Sequence, residues 1–247
     1  MKKHMQRYVG LILLFFFSNS SFAQNTFNLS FGFPKINWDY SGNLDGLRTV
    51  YRNGWSITAS GLKIRDNGLT YGFDLGVNRY GNGFQFGNMR FDIKEIHHFS
   101  LLPFIGYVHK IQGTKFSVRT NLGFGLGILS IENKIYQNDQ SFQTRRIERK
   151  DAIGNFYSEP LYDLTFSGSQ EVKNRLFPLL KPNIELHYSV GENSSVFIKG
   201  TLGITFIDDI IVRDFPNVIL EGENYNVNHS SNLTYTAIEF GYSRKLK

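Results

Sequence analysis

Residues 115–131, Lys115-Phe116-Ser117-Val118-Arg119-Thr120-Asn121-Leu122-Gly123-Phe124-Gly125-Leu126-Gly127-Ile128-Leu129-Ser130-Ile131, alternate face by face for almost their whole length. One face reads Phe116, Val118, Thr120, Leu122, Phe124, Leu126, Ile128, and the other reads Ser117, Arg119, Asn121, Gly123, Gly125, Gly127. A period of two sends successive side chains to opposite sides of a strand, so this stretch is a strand with one apolar and one polar or glycine face. It is longer than an ordinary globular strand of about 5–6 residues. A strand of ~10 residues or more, apolar on one side and small or polar on the other, is what a transmembrane β-barrel requires.

Seven further segments carry the same period: 26–33, 55–65, 69–80, 99–110, 177–190, 196–207 and 232–246. Their connections sort by length. Short turns at 65–68, 111–114 and 191–195 alternate with long polar segments at 34–54, 81–98, 132–176 and 208–231. An even-stranded barrel with short periplasmic turns and long outer loops produces that pattern, whereas a soluble barrel has no reason to sort its loops. The expected fold is therefore all-β, an eight-stranded antiparallel up-and-down transmembrane barrel over 24–247. The least regular strand is 99–110, where Pro103 interrupts the alternation and implies a bulge or an extension back to Phe91. Ten strands result if 83–93 also pairs.

Ahead of the strands stand Lys2, Lys3 and Arg7, an apolar run from Tyr8 to Phe17, and small residues at Ser21 and Ala23. This is the pattern of a secretory signal peptide, 1–23, cut after Ala23. Its apolar run is too short for a spanning helix, which needs ~20 residues. Export directs the mature chain to the outer membrane. With no cysteine, disulfides, thiol nucleophiles, cysteine metal sites and a lipidated cysteine are all excluded. Loss of the signal peptide drops the formal charge from +6 to +3, with 24 basic side chains against 21 acidic ones, so nucleic acid is not an expected partner.

The Gly-interleaved strand 121–128, the Pro-containing strand ending in Gly106-Tyr107 and the closing Glu239-Phe240-Gly241-Tyr242 resemble the small outer-membrane β-barrel family of Bacteroidota, which includes PorT-like proteins and has OmpX as an architectural cousin. The resemblance implies a role in protein export or surface assembly. The chain departs from it at its end, running on through Ser243-Arg244-Lys245-Leu246-Lys247 where such strands commonly finish on an aromatic residue.

Three groups of residues carry chemistry. Asp74, Arg119, Glu185, Lys199 and Glu239 face inward by parity and form a charge network, read as a salt-bridged plug because an eight-stranded barrel is just wide enough to be filled by side chains. The alternative is a minor small-solute channel. His229-Ser230-Ser231-Asn232 resembles the His-x-Ser-Asn element of PagL-type lipid A deacylases, in which a histidine activates a serine. There Glu239 is too far along the strand, so an orienting acid has to come from Glu221 or Glu223. Arg145, Arg146, Arg149 and Lys150 form a basic run suited to lipopolysaccharide phosphates or an acidic partner, in a segment of seven basic and seven acidic side chains. His97 and His98, adjacent in sequence, point to opposite faces, which disfavours a shared metal. No metal or cofactor is expected. The expected function is a structural or interaction role in the cell envelope and not an enzyme, the alternatives being lipid A deacylation and the channel. Outer-membrane lipid, lipopolysaccharide and other envelope proteins are the expected partners.

Overall fold

The computed structural model describes residues 23–44, 47–86, 89–140, 148–150, 156–158, 164–220 and 222–246. The expected signal peptide lies outside them except for Ala23, as do Arg145 and Arg146. The strands in chain order are β1 Ala23–Ile36, β2 Asp39–Gly42, β3 Leu47–Arg65, β4 Leu69–Phe86, β5 Met89–Lys110, β6 Phe116–Ser130, β7 Lys134–Gln140, β8 Glu148–Lys150, β9 Phe156–Ser158, β10 Leu164–Val172, β11 Leu176–Gly191, β12 Ser194–Thr205, β13 Ile211–Leu220, β14 Glu223–Ser231 and β15 Tyr235–Lys245. Eight of them close into an antiparallel barrel in the order β1-β15-β12-β11-β6-β5-β4-β3, and each contains one of the eight periodic segments. Closure runs through β1, which pairs with β3 on one side and with β15 on the other, Thr26 opposite Lys245.

The wall follows the pleat. Along β6 the even residues Leu122, Phe124, Leu126 and Ile128 are exposed, while Arg119, Asn121, Gly123 and Gly127 are buried inside. Phe31, Leu75, Ile184, Ile198 and Phe240 continue the exposed apolar face around the barrel. The result is an outward apolar belt over a polar lumen, the inverse of a soluble protein and the arrangement a membrane-embedded barrel needs. Tyr107, Tyr188 and Tyr242 stand exposed near the short-turn rim, where an interfacial aromatic girdle belongs. At that rim the 65–68 hairpin closes with the Gly68 N–H donating to the Arg65 carbonyl at 2.9 Å, Gly68 having φ +89°.

The long segments differ from the expected loops. Residues 83–93 do pair, Gly83 opposite Asp92, but as the outer end of the β4–β5 hairpin, so the barrel keeps eight strands. A spanning strand needs ~9–11 residues, whereas β4 has 18 and β5 has 22, so both rise beyond the apolar belt. The irregularity expected in 99–110 takes two forms. β5 starts at Met89 with a register shift where Tyr80 and Asn82 meet it, and its ladder to β6 lapses at Leu102 and Pro103 before resuming at Phe104 opposite Gly123. The other three long segments supply β2, β7, β10, β13 and β14, which assemble into a separate five-stranded sheet in the order β2-β14-β13-β10-β7. Backbone groups that leave the barrel rim still need partners, and pairing with one another satisfies them.

Inside, the barrel has two storeys. Towards the short turns it is filled with charged and amide side chains. Towards the long segments it is filled by an apolar cluster that includes Tyr80, Ile96, Leu102, Phe177, Leu179 and Tyr235. That cluster continues without a break into Ile210, Ile211 and Leu233 of the long segments. Gly127 and Gly203 make the aromatic filling possible, because a Cβ on either would collide with the Phe177 or the Tyr235 ring respectively.

Candidate functional site

All five charges that parity sends inward are buried. Arg119 on β6 pairs with Glu185 on its neighbour β11, and Lys199 on β12 with Glu239 on β15, Nζ to Oε2 2.6 Å. Asp74 pairs with Lys181, Nζ to Oδ2 3.2 Å, and accepts from Ser60 Oγ at 2.6 Å. Lys181 is the member that the sequence reading misses, although it shares the parity of Asn183, Glu185 and His187. Hydrogen bonds from Asn121 to Asn183 and Glu185, and from Thr201 and Ser30 to Glu239, tie the pairs together. Each charge meets an opposite one inside a filled lumen, which is the arrangement under which buried ions persist.

Below this network, at the short-turn end, lies a cavity of about 510 Å³ that opens to the outside. Arg65, Lys110, Lys115, Arg119 and Lys245 line it with Asp66 and Glu192, so its cations outnumber its acids. His187 and Ser195, on the inward faces of β11 and β12, also line it. His187 Nδ1 lies 3.1 Å from Ser195 Oγ, and His187 Nε2 lies 2.7 Å from Glu185 Oε2. The imidazole stacks on Phe197 at 4.7 Å between ring centroids. Two polar atoms of buried residues lining this cavity, Arg119 Nε and Thr26 Oγ1, have no hydrogen-bond partner among the described residues.

The third place is the outer sheet. His229 and Ser231 share a face of β14, as parity requires, and both are buried. Ser231 Oγ donates to the Asn37 carbonyl at 2.6 Å and accepts from the Leu233 N–H at 3.1 Å. Leu233 has φ +63°, so this hydroxyl organises the bend that returns the chain to the barrel. Its one proton is given to Asn37 and not to His229. The His229 ring packs against Tyr40 at 5.0 Å and Trp38 at 6.2 Å. Arg213, opposite His229 in the β13–β14 ladder, is fully buried, donates from Nε to Gln170 at 2.8 Å, and lies with its Cζ 4.5 Å from the Trp38 ring centre. Burial lowers the Arg213 guanidinium to about 9, and burial together with this neighbouring cation lowers His229 to about 3. Of the acids considered for this site, Glu223 accepts from the Tyr225 hydroxyl, Glu239 lies in the lumen network, and Glu221 is outside the described residues.

Arg149 and Lys150 lie on β8, opposite Tyr157 and Phe156 of β9. His97 and His98 diverge as expected, and His98 is buried among Tyr80, Phe177 and Tyr235. Among the described residues no cluster of three metal-ligating side chains occurs.

No protein-family model and no curated protein sequence matches the chain. Among solved structures, the outer membrane protein OprG from Pseudomonas aeruginosa is similar at 11% identity over 91% of this chain and 97% of that one, with a TM-score of 0.48. A major outer membrane protein from Thermus thermophilus is similar at 10% identity over 91% and 99%, with a TM-score of 0.45. Neisserial surface protein A is similar at 11% identity over 90% and 97%, with a TM-score of 0.42. By its own strand order, the chain is a closed, eight-stranded antiparallel β-barrel with an apolar exterior.

Proposed function

We propose that the protein sits in the outer membrane and works there by contact, its barrel serving as an anchor and its five-stranded outer sheet as the docking surface for another envelope component. The observation that carries this reading is the apolar cluster shared by the barrel and the long segments, which holds the sheet against a sealed lumen. A sheet joined to its anchor by a packed core is a preorganised surface, and preorganisation lowers the entropic cost of binding. Its edge strand β7 exposes Ile135 at 73%, so an apolar side chain of a partner has a place to pack. The resemblance to PorT-like barrels makes export or surface assembly the setting, and the basic run at 145–150 adds affinity for lipopolysaccharide phosphates. The filled interior argues against a solute channel, and the Ser231 hydroxyl, already engaged with Asn37, argues against deacylation at that place.

The test is the native size of the complex extracted in mild detergent, with a photo-crosslinking residue at Ile135. A stable assembly larger than the barrel, with a crosslink to one recurring partner, is expected. A lone barrel without crosslinks overturns the reading.

A further inference from the structure

The cavity at the short-turn end holds an arrangement that packing alone does not require. Ser195, His187 and Glu185 form a chain of two hydrogen bonds, Ser195 Oγ to His187 Nδ1 at 3.1 Å and His187 Nε2 to Glu185 Oε2 at 2.7 Å. Both lie within the reach expected of a nucleophile and its base. Only one tautomer satisfies them. Nε2 carries the proton and donates to the carboxylate, which leaves the Nδ1 lone pair for the serine hydroxyl. The imidazole is turned over relative to the usual serine-hydrolase triad, but the roles of nucleophile, base and orienting acid are filled. The ring is fixed by Phe197, and the carboxylate is fixed by Arg119 and Asn121. Ser195, unlike Ser231, is partly exposed and lines an open cavity with room for a small ligand.

We propose that this cavity is a hydrolytic site for carboxylic esters of small, negatively charged molecules, with Ser195 as nucleophile, His187 as general base and acid, and Glu185 as the residue that positions His187. The preference for an anion rests on the cavity's charge, the rim lysines Lys110, Lys115 and Lys245 outnumbering Asp66 and Glu192. Ser195 Oγ bonds to the ester carbonyl carbon while its proton passes to His187 Nδ1 and the carbonyl π electrons move onto oxygen. That oxygen's charge develops in a cavity where cations predominate. Collapse of the adduct breaks the C–O bond to the alcohol, which leaves with the proton from His187. Water then attacks the Ser195 ester by the same route, and the free acid and the serine are released.

The experiment uses the full mature chain, refolded in detergent and shown to be folded by its gel shift on boiling. The probes are a fluorophosphonate, followed by peptide mass mapping, and two chromogenic esters, anionic mono-4-nitrophenyl succinate and neutral 4-nitrophenyl acetate. Phosphonylation of Ser195 is expected, with loss of at least about 100-fold in ester turnover in both Ser195→Ala and His187→Gln. Ser130→Ala, at the far end of β6 from the cavity, retains labelling and turnover. Glu185→Gln lowers kcat with KM unchanged, as a positioning role requires. The Lys110→Gln/Lys115→Gln double variant raises KM for the succinate ester and leaves the acetate unaffected. Absence of Ser195 labelling in the folded wild-type barrel overturns the proposal, as does turnover that survives Ser195→Ala. If His187→Gln does not fold, the wild type and Ser195→Ala decide the matter alone. The site is at the opposite end from the outer sheet, so its failure leaves the docking reading untouched.

Discussion

Lys181 and Asp74 meet across the lumen, 3.2 Å apart, from strands β11 and β4 that are not neighbours in the wall. Two further interior pairs join adjacent strands and follow the ladder register, Glu185 opposite Arg119 and Lys199 opposite Glu239. The Lys181–Asp74 pair is therefore a strut that couples opposite sides of the barrel. Removing one partner strands a buried charge, which costs about 3–5 kcal/mol, whereas replacing both with apolar residues of similar volume is close to neutral. Lys181→Met is expected to lower the urea midpoint of the detergent-folded barrel substantially. Asp74→Leu combined with Lys181→Met is expected to recover most of the loss.

A charge on the lipid face has a different signature. Arginine at Phe124 or Leu126, both outward on β6, is expected to cost about 2–4 kcal/mol near the bilayer midplane. Gln137→Arg on β7, an exposed position of the outer sheet, is expected to be neutral. Assembly yield in membranes, read by the shift between boiled and unboiled gel samples, separates the two. Equal tolerance at both places would mean that inside and outside are inverted.

Gly127 is held small by the Phe177 ring. Gly127→Ala overpacks the filled upper lumen and is expected to cost about 1–3 kcal/mol. Phe177→Leu in the same chain opens space and is expected to return part of that stability, so the two effects are non-additive in a double-mutant cycle of unfolding midpoints.

Acid is expected to loosen the outer sheet before it affects the barrel wall. His229 sits at about 3 in the folded sheet, below its unfolded value of about 6.5, because it is buried beside Arg213. The unfolded chain thus binds the extra proton, and the stability from keeping His229 neutral is full above pH 6.5 and falls as the pH drops towards 3. By pH 5 the loss reaches roughly 2 kcal/mol. Amide hydrogen exchange in β13 and β14 is expected to accelerate between about pH 6.5 and 5, after correction for intrinsic rates, while β6 stays protected. His229→Phe should remove most of that dependence.

How much of this was legible in the sequence depends on what each strand faces. A barrel wall has lipid on one side and a polar lumen on the other, so β6 and β15 alternate cleanly and all eight wall strands could be read from their period. The strands of the outer sheet lack that contrast. β13 carries Asp214, Phe215, Pro216 and Asn217 in succession, and its pairing with β14 shifts register between Phe215 and Val218. Lys181 follows the parity of Glu185 but is hidden between Pro178 and Pro182. Ser195 belongs to a segment that reads as a turn, and it reaches His187 only because the hairpin sets Ser189 opposite Ser195. His229 and Ser231 share one face as their spacing predicts, yet their contacts come from Trp38, Tyr40 and Asn37, a segment nearly the whole chain away that no local pattern reveals.

The closure of β1 on β15 has a consequence for biogenesis. Before β15 is in place, β1 and β12 each present a bare edge whose amides and carbonyls have no partner, and in hydrocarbon each such group costs several kcal/mol. The partner that seals both edges is the last strand of the wall to leave the ribosome. Its ladder joins residues as far apart as Thr26 and Lys245, about as non-local as a contact in this chain can be. Membrane entry is therefore expected to be all-or-none, with seven strands holding no stable place in the bilayer and the eighth acting as the latch.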